Sequence, residues 1–279
     1  MNGNNKDFIF NLNKELQIYV DKYNNTGIDS FEGLSPAIMH DLLYNNWGNN
    51  IISINPNKLD GKDIPIIMQI KYFIEELNQS NEIKLTKTGN LPPSIVKDIY
   101  KNKFISDRMI ESGITKLTKE TDVDNITFMK IICIMAGIIK KRKNVITLTK
   151  NILKVIDTTQ FIEKILYTIF YEYNWAYFDL YENEQIGKLG NNYTLYLLNK
   201  YGDSWKGMNF YAKLYFKAFP EFLKSEESDF VKECYIYRTF NQILRYCGFI
   251  DFEKKEFDDG KIKTTEIFKK YIKIGMYVA

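Results

Sequence analysis

Apolar residues at steps of four and three open the chain. Phe8, Leu12, Leu16, Tyr19 and Tyr23 fall on one stripe of a first helix, which Asn24-Asn25-Thr26-Gly27 ends. Ser35-Pro36 then starts a second helix, a hydroxyl cap followed by proline at the first helical position, with Ile38, Met39, Leu42 and Leu43 inward. Residues 46–63 read as loop around one short apolar run, Ile51 to Ile54. A helix from Pro65 turns Ile67, Ile70, Phe73, Ile74 and Leu77 inward, and another spans Ser94 to Asn102. The stretch Ile126 to Ile139 is apolar almost all round, which predicts a buried helix with Cys133 as a core thiol. Val145 to Leu148 has a strand pattern. Residues 158–247 predict a helical insertion: a first helix carrying Phe161, Ile165, Ile169 and Tyr173, then helices around Tyr193–Tyr201, Trp205–Phe219 and Phe230–Tyr246. Asp258-Asp259-Gly260 supplies a turn between two alternating runs.

One pattern recurs: the end of a helix, a short hairpin, a threonine and a new helix. Its clearest copies are Gly137-Ile138-Ile139 with Val145–Lys150, and Gly248-Phe249-Ile250 with Lys261–Thr265. A third, Glu82–Gly89, follows an apolar helix but lacks the glycine step. The fold expected from this is mainly α with small β-hairpins: tandem winged-helix-like units around a helical insertion. Residues 1–120 form an N-terminal helical region with one such unit. Residues 121–279 hold two units flanking the insertion, the two regions being separate or one compact domain.

The segment Ala136–Lys150 resembles bacterial winged-helix regulators at the point where the hairpin forms the wing. That resemblance implies a wing at Lys140–Lys143, with a preceding helix of the kind that reads the DNA major groove. Leu34-Ser35-Pro36-Ala37-Ile38-Met39-His40-Asp41-Leu42-Leu43-Tyr44 with Leu85–Pro92 is similar to a set of uncharacterised bacterial proteins over the first ~110 residues. It implies no activity.

Composition changes this picture little. The 279 residues are 45% hydrophobic and 15% aromatic, enough for one large core or two modest ones. The net charge of +3 neither demands nor excludes a polyanionic partner. The 38 basic residues are nearly all lysine, with arginine only at 108, 142, 238 and 245. With abundant Asn, Ile, Tyr and Phe, that skew points to an A/T-rich genome such as a low-GC bacterium, so lysine density by itself says little about ligands. Three cysteines without a C-x-x-C pair, a polar start and no apolar run near ~20 residues describe a cytoplasmic protein without a membrane span.

Catalytic and ligand motifs are missing from the sequence. The single histidine, His40, stands beside Asp41 with no nucleophile motif. The carboxylate runs Glu75/Glu76, Glu226/Glu227/Asp229 and Asp179/Glu182/Glu184 read as solvated helix faces, and no phosphate-cradling glycine motif occurs. These observations imply no catalytic residue, metal or cofactor. The densest cationic cluster is Lys140, Lys141, Arg142 and Lys143, extended by Lys150 and Lys154. It is either a wing tip resting on phosphates or a solubilising turn in a lysine-rich chain. Residues 251–263, with five acids against four lysines, oppose a second nucleic-acid contact. The readings that remain are a non-enzymatic, DNA-binding protein using Lys140–Lys143 and Lys150, and a protein-interaction or structural module. Oligomeric state is open.

Overall fold

Two hydrophobic periods, 3.6 for helices and 2 for strands, alternate along the chain, and the computed structural model follows them. It describes residues 3–47, 51–55, 58–224, 228–253 and 260–275. The fold is mainly helical with small antiparallel sheets. In order, the elements are α1 (Gly3–Asn25), α2 (Pro36–Tyr44), β1 (Ile52–Ile54), α3 (Pro65–Ser80), β2 (Ile83–Lys84), α4 (Pro93–Lys101), α5 (Arg108–Glu111) and α6 (Asp124–Met135). Then follow β3 (Ile139–Arg142), β4 (Val145–Leu148), α7 (Thr159–Tyr167), α8 (Asn191–Tyr201), β5 (Lys206–Gly207), α9 (Met208–Ala218) and α10 (Ser228–Ile236). The chain ends with β6 (Ile250–Phe252), β7 (Lys261–Thr264), α11 (Glu266–Tyr271) and β8 (Ile272–Ile274). Both α7 and α10 run on through π-helical turns, Thr168–Glu172 and Tyr237–Leu244.

The order helix, short strand, helix, helix, hairpin occurs twice. One copy is α3, β2, α4, α6, β3, β4, with the single-turn α5 inserted between α4 and α6; the other is α8, β5, α9, α10, β6, β7. In each, the isolated strand pairs with the last strand, giving the orders β2-β4-β3 and β5-β7-β6. The corner between third helix and hairpin repeats bond for bond. Gly137 and Gly248 take φ +69° and +68°. The next residue donates back five positions, Ile138 N–H to Cys133 O at 2.8 Å and Phe249 N–H to Leu244 O at 2.9 Å. This is the Schellman way of ending a helix, and glycine is used because the left-handed conformation penalises a Cβ. Thr149 N–H and Thr265 N–H then bond the carbonyls of Ile138 and Phe249.

Several expectations change. The helix expected to reach Ile139 stops at Met135, because Gly137 reverses the chain and Ile139 begins β3. Its last turn is not buried, with Ile134 and Met135 at 38% and 41% exposure, whereas Cys133 is fully buried. The Glu82–Gly89 segment is not a third hairpin. Ile83 and Lys84 face Ile146 and Val145, so this segment completes the sheet of the Gly137 copy and bridges the division drawn at residue 120. The helices of 191–244 are not an insertion but the first half of the second copy. After the first hairpin a 3-10 turn, Ile152–Lys154, precedes α7, so only the second hairpin leads directly into a helix. The expected turn at Asp258-Asp259 lies outside the described residues, although β6 and β7 on either side of it do pair.

A clasp ties the last described strand to the segment that follows α2. β1, expected as loop, pairs with β8, Ile52 facing Ile274 and Ile54 facing Ile272. Below it the Tyr271 hydroxyl sits 2.8 Å from Asp60 and 2.5 Å from Asp63, and Lys270 Nζ lies 3.2 and 2.9 Å from the same carboxylates. The Tyr271 hydroxyl, helped by Lys270, holds Asp60 down at about 2, from an ordinary 3.8. A depressed carboxylate stabilises the fold above its unfolded pKa, and that stabilisation is lost as the pH falls through its folded one. Thermal melts of the natural chain should therefore drop more steeply between about pH 4 and about pH 2 than those of Asp60→Asn. Parallel acid limbs would contradict this assignment.

Candidate functional site

The sheet β2-β4-β3 brings the expected cations together. Period-two alternation turns Ile83, Ile139 and Ile146 into the core, where all three are buried. The opposite face carries Lys84, Val145 and Arg142 in one cross-strand row and Thr147 and Lys140 in the next. Lys140 and Arg142 stand about 7 Å apart along β3, and Lys84 about 10 Å from Arg142 across β4. Lys143, at φ +53°, forms the tip with Asn144. Lys141 has core parity, but its ammonium escapes over the rim to lie 3.2 Å from the point where a Cβ on Gly89 would stand. Lys150 and Lys154 are exposed beyond the end of β4.

Lys140, Lys141, Arg142, Lys143 and Lys150 are all exposed, and none has an ion-pair partner among the described residues. Lys84 behaves the same way and was missed in the sequence, because its membership of this sheet depends on a pairing across sixty residues. The second sheet is different. Lys263 lies over the Trp205 ring at 5.1 Å, Lys206 over Phe210 at 5.6 Å, Lys261 is 3.5 Å from Glu253, and Asp251 faces Lys263. Among the described residues its cations are already engaged.

The third helices of the two copies face one another. Phe128 of α6 packs on Tyr246 at 5.2 Å and on Tyr173 at 4.9 Å. The Tyr237 hydroxyl reaches Asp124 at 3.5 Å, and Arg245 donates to Ser106 O at 2.5 Å. Burial, with Asp107 nearby, holds the Asp124 carboxyl above its ordinary value. The exposed positions of α6 are Ile134 and Met135; no amide or cation on it faces solvent. Lys130 is turned inward, its ammonium 2.6 Å from the buried Glu120 and 3.1 Å from Gly89 O. α6 therefore presents no polar edge with which to read bases, and among the described residues the exposed polar side chains of α10 are the acids Asp229 and Glu233.

The remaining chemical candidates are structural. Asp179 is bound by Arg238 in a two-pronged ion pair at 2.6 and 2.7 Å; the same guanidinium donates to the carbonyls of Tyr181, Asn183 and Ile186. Arg238 is completely buried, so this pair closes the 179–186 loop onto the second copy. His40 is exposed, against Tyr44 and beside Asp41. The aromatic side chains of 161–219 mostly build core: Phe170, Tyr173 and Trp175 are buried, and the Trp175 indole N–H donates to Ile169 O at 3.0 Å. An open cleft of about 570 Å³ lies beside α7, lined by Trp47, Gln160, Glu163, Lys164, Thr168 and Glu172. Its carboxylates share the cleft with Lys164 and Thr168, and Glu172 accepts a hydrogen bond from Thr168 at 2.8 Å. Among the described residues no group of three metal-ligating side chains occurs, and no helix is long and apolar enough to cross a membrane. No family model, curated protein or solved structure matches the chain.

Proposed function

We propose that the chain is a non-enzymatic binding protein made of two winged-helix-like units set back to back through their third helices. The first wing holds the phosphate backbone of a nucleic acid. The observation that carries this reading is the set of exposed, unpartnered cations on one open sheet face: Lys84, Lys140 and Arg142, with Lys141 and Lys143 at the rim and tip. Such contacts are electrostatic and sequence-neutral, and they release counterions. The inward α6 supports backbone contact without base reading, since it has Ile134 and Met135 where a reading helix needs amides or cations. The second sheet supports no such contact, because its described lysines, Lys206, Lys261 and Lys263, are engaged by Phe210, Glu253 and Trp205.

Fluorescence anisotropy with a labelled duplex tests this. Replacing Lys140, Lys141, Arg142 and Lys143 by Ala should weaken binding to every duplex about equally. It should also flatten the salt dependence by up to ~0.9 log units for each phosphate no longer neutralised. Binding unchanged by the fourfold replacement would refute the wing assignment. The second reading, a protein-interaction module, is favoured by a different observation, the uncovered stripe of α1.

A further inference from the structure

Helix α1 is 23 residues long, about 35 Å, and meets the rest of the molecule at α2. From Phe10 to Tyr23 every residue is exposed. Leu12, Leu16, Tyr19 and Tyr23, at 45, 53, 70 and 55% exposure, lie on one face in steps of four, three and four. Most helical stability in proteins comes from packing an amphipathic face rather than from propensity, and a stripe of large apolar side chains is stabilising only when something covers it. Among the described residues nothing does.

We infer that α1 is a dimerisation helix whose stripe packs antiparallel against α1 of a second copy of this chain. The spacing is that of a coiled-coil seam, with Leu12 and Tyr19 at one set of core positions and Leu16 and Tyr23 at the other. Laying two copies antiparallel with Leu16 beside the second copy's Tyr19 also sets Leu12 beside its Tyr23. The same register brings Glu15 against Lys22 along the edge of the seam, and two-fold symmetry makes that pair twice. A parallel arrangement would instead face Glu15 with the apolar Val20, so charge selects the antiparallel one. A lipid surface is a poorer occupant: α1 carries three lysines and three acids, without the cationic excess of membrane-surface helices. Four seam residues per helix make an interface at the small end of the stable range, which predicts a micromolar dimer. The seam lies on α1 alone and is independent of the wing.

Sedimentation velocity of the full chain, from low micromolar to several hundred micromolar, tests it. The expected result is a reversible monomer–dimer equilibrium. Leu16→Glu should weaken it at least tenfold with an unchanged far-UV circular dichroism spectrum. Lys22→Glu, which sets two acids together, should weaken it several-fold, and the double reversal Glu15→Lys with Lys22→Glu should restore it. A monomer at every concentration, a dimer indifferent to Leu16→Glu, or failure of the double reversal to restore pairing would overturn the inference. So would co-sedimentation of a monomeric chain with phosphatidylcholine–phosphatidylglycerol vesicles that Leu16→Glu abolishes. Duplex binding, measured on Leu16→Glu, reports on the wing separately.

Discussion

Replacing Asp179 by Ala is expected to destabilise the protein by about 3–5 kcal/mol, because it strands a charged guanidinium in the core. Arg238 is wholly buried, and among the described residues Asp179 supplies its only counter-charge together with two of its five hydrogen bonds. The three carbonyl bonds survive the substitution, which places the effect toward the lower end of that range. Asp179→Asn keeps the shape and one acceptor but removes the charge, so its loss should be intermediate. Arg238→Met in the Asp179→Ala background should recover part of the stability, since the buried charge then disappears with its partner. Urea unfolding of the four proteins measures this. A loss under ~1 kcal/mol for Asp179→Ala would mean that water reaches the guanidinium, contrary to its burial.

The two matching glycine corners should respond unequally to alanine. Both need a left-handed conformation, which costs a residue with a Cβ roughly 1–2 kcal/mol. At Gly137 the added methyl meets only Lys164 Nζ, at 3.8 Å, so Gly137→Ala should cost about that amount. At Gly248 the methyl would stand 2.7 Å from Pro65 Cδ and 3.1 Å from Cγ, a ring at the start of α3 that cannot swing aside. Overpacking then adds about 1–3 kcal/mol, giving roughly 2–5 in total. The difference between the two unfolding free energies isolates the packing of the second corner against the first copy. Equal losses would contradict that packing.

Much of the local structure was legible. The Ser35 cap, which accepts the Ile38 N–H at 3.3 Å, was readable, as were the inward face of α3 and the two glycine corners, because each follows from residues within a few positions of one another. What could not be read were the long-range pairings. Ile83 and Lys84 look like the start of a hairpin until Ile146 and Val145 are seen opposite them. Ile52–Ile54 is too short a run to name its partner 220 residues away in β8. Similarly, 191–244 looked like an insertion because β5 is only two residues long, so the sheet that makes the region a second copy left almost no alternation to detect. The basic cluster was visible as composition. Its separation from the locked Lys130 and from the partnered lysines of the second sheet was not, since that depends on which face of which strand each side chain occupies.

The most direct test of the wing assignment is the salt dependence of duplex binding by the natural chain, measured on one A/T-rich and one G/C-rich duplex. Four to five phosphate contacts predict a log–log slope of roughly −3.6 to −4.5, the same for both sequences, with affinities that agree within a few-fold. No binding at low salt with micromolar protein, or a strong preference for one duplex, would contradict a wing that holds the backbone while the preceding helix α6 is turned inward.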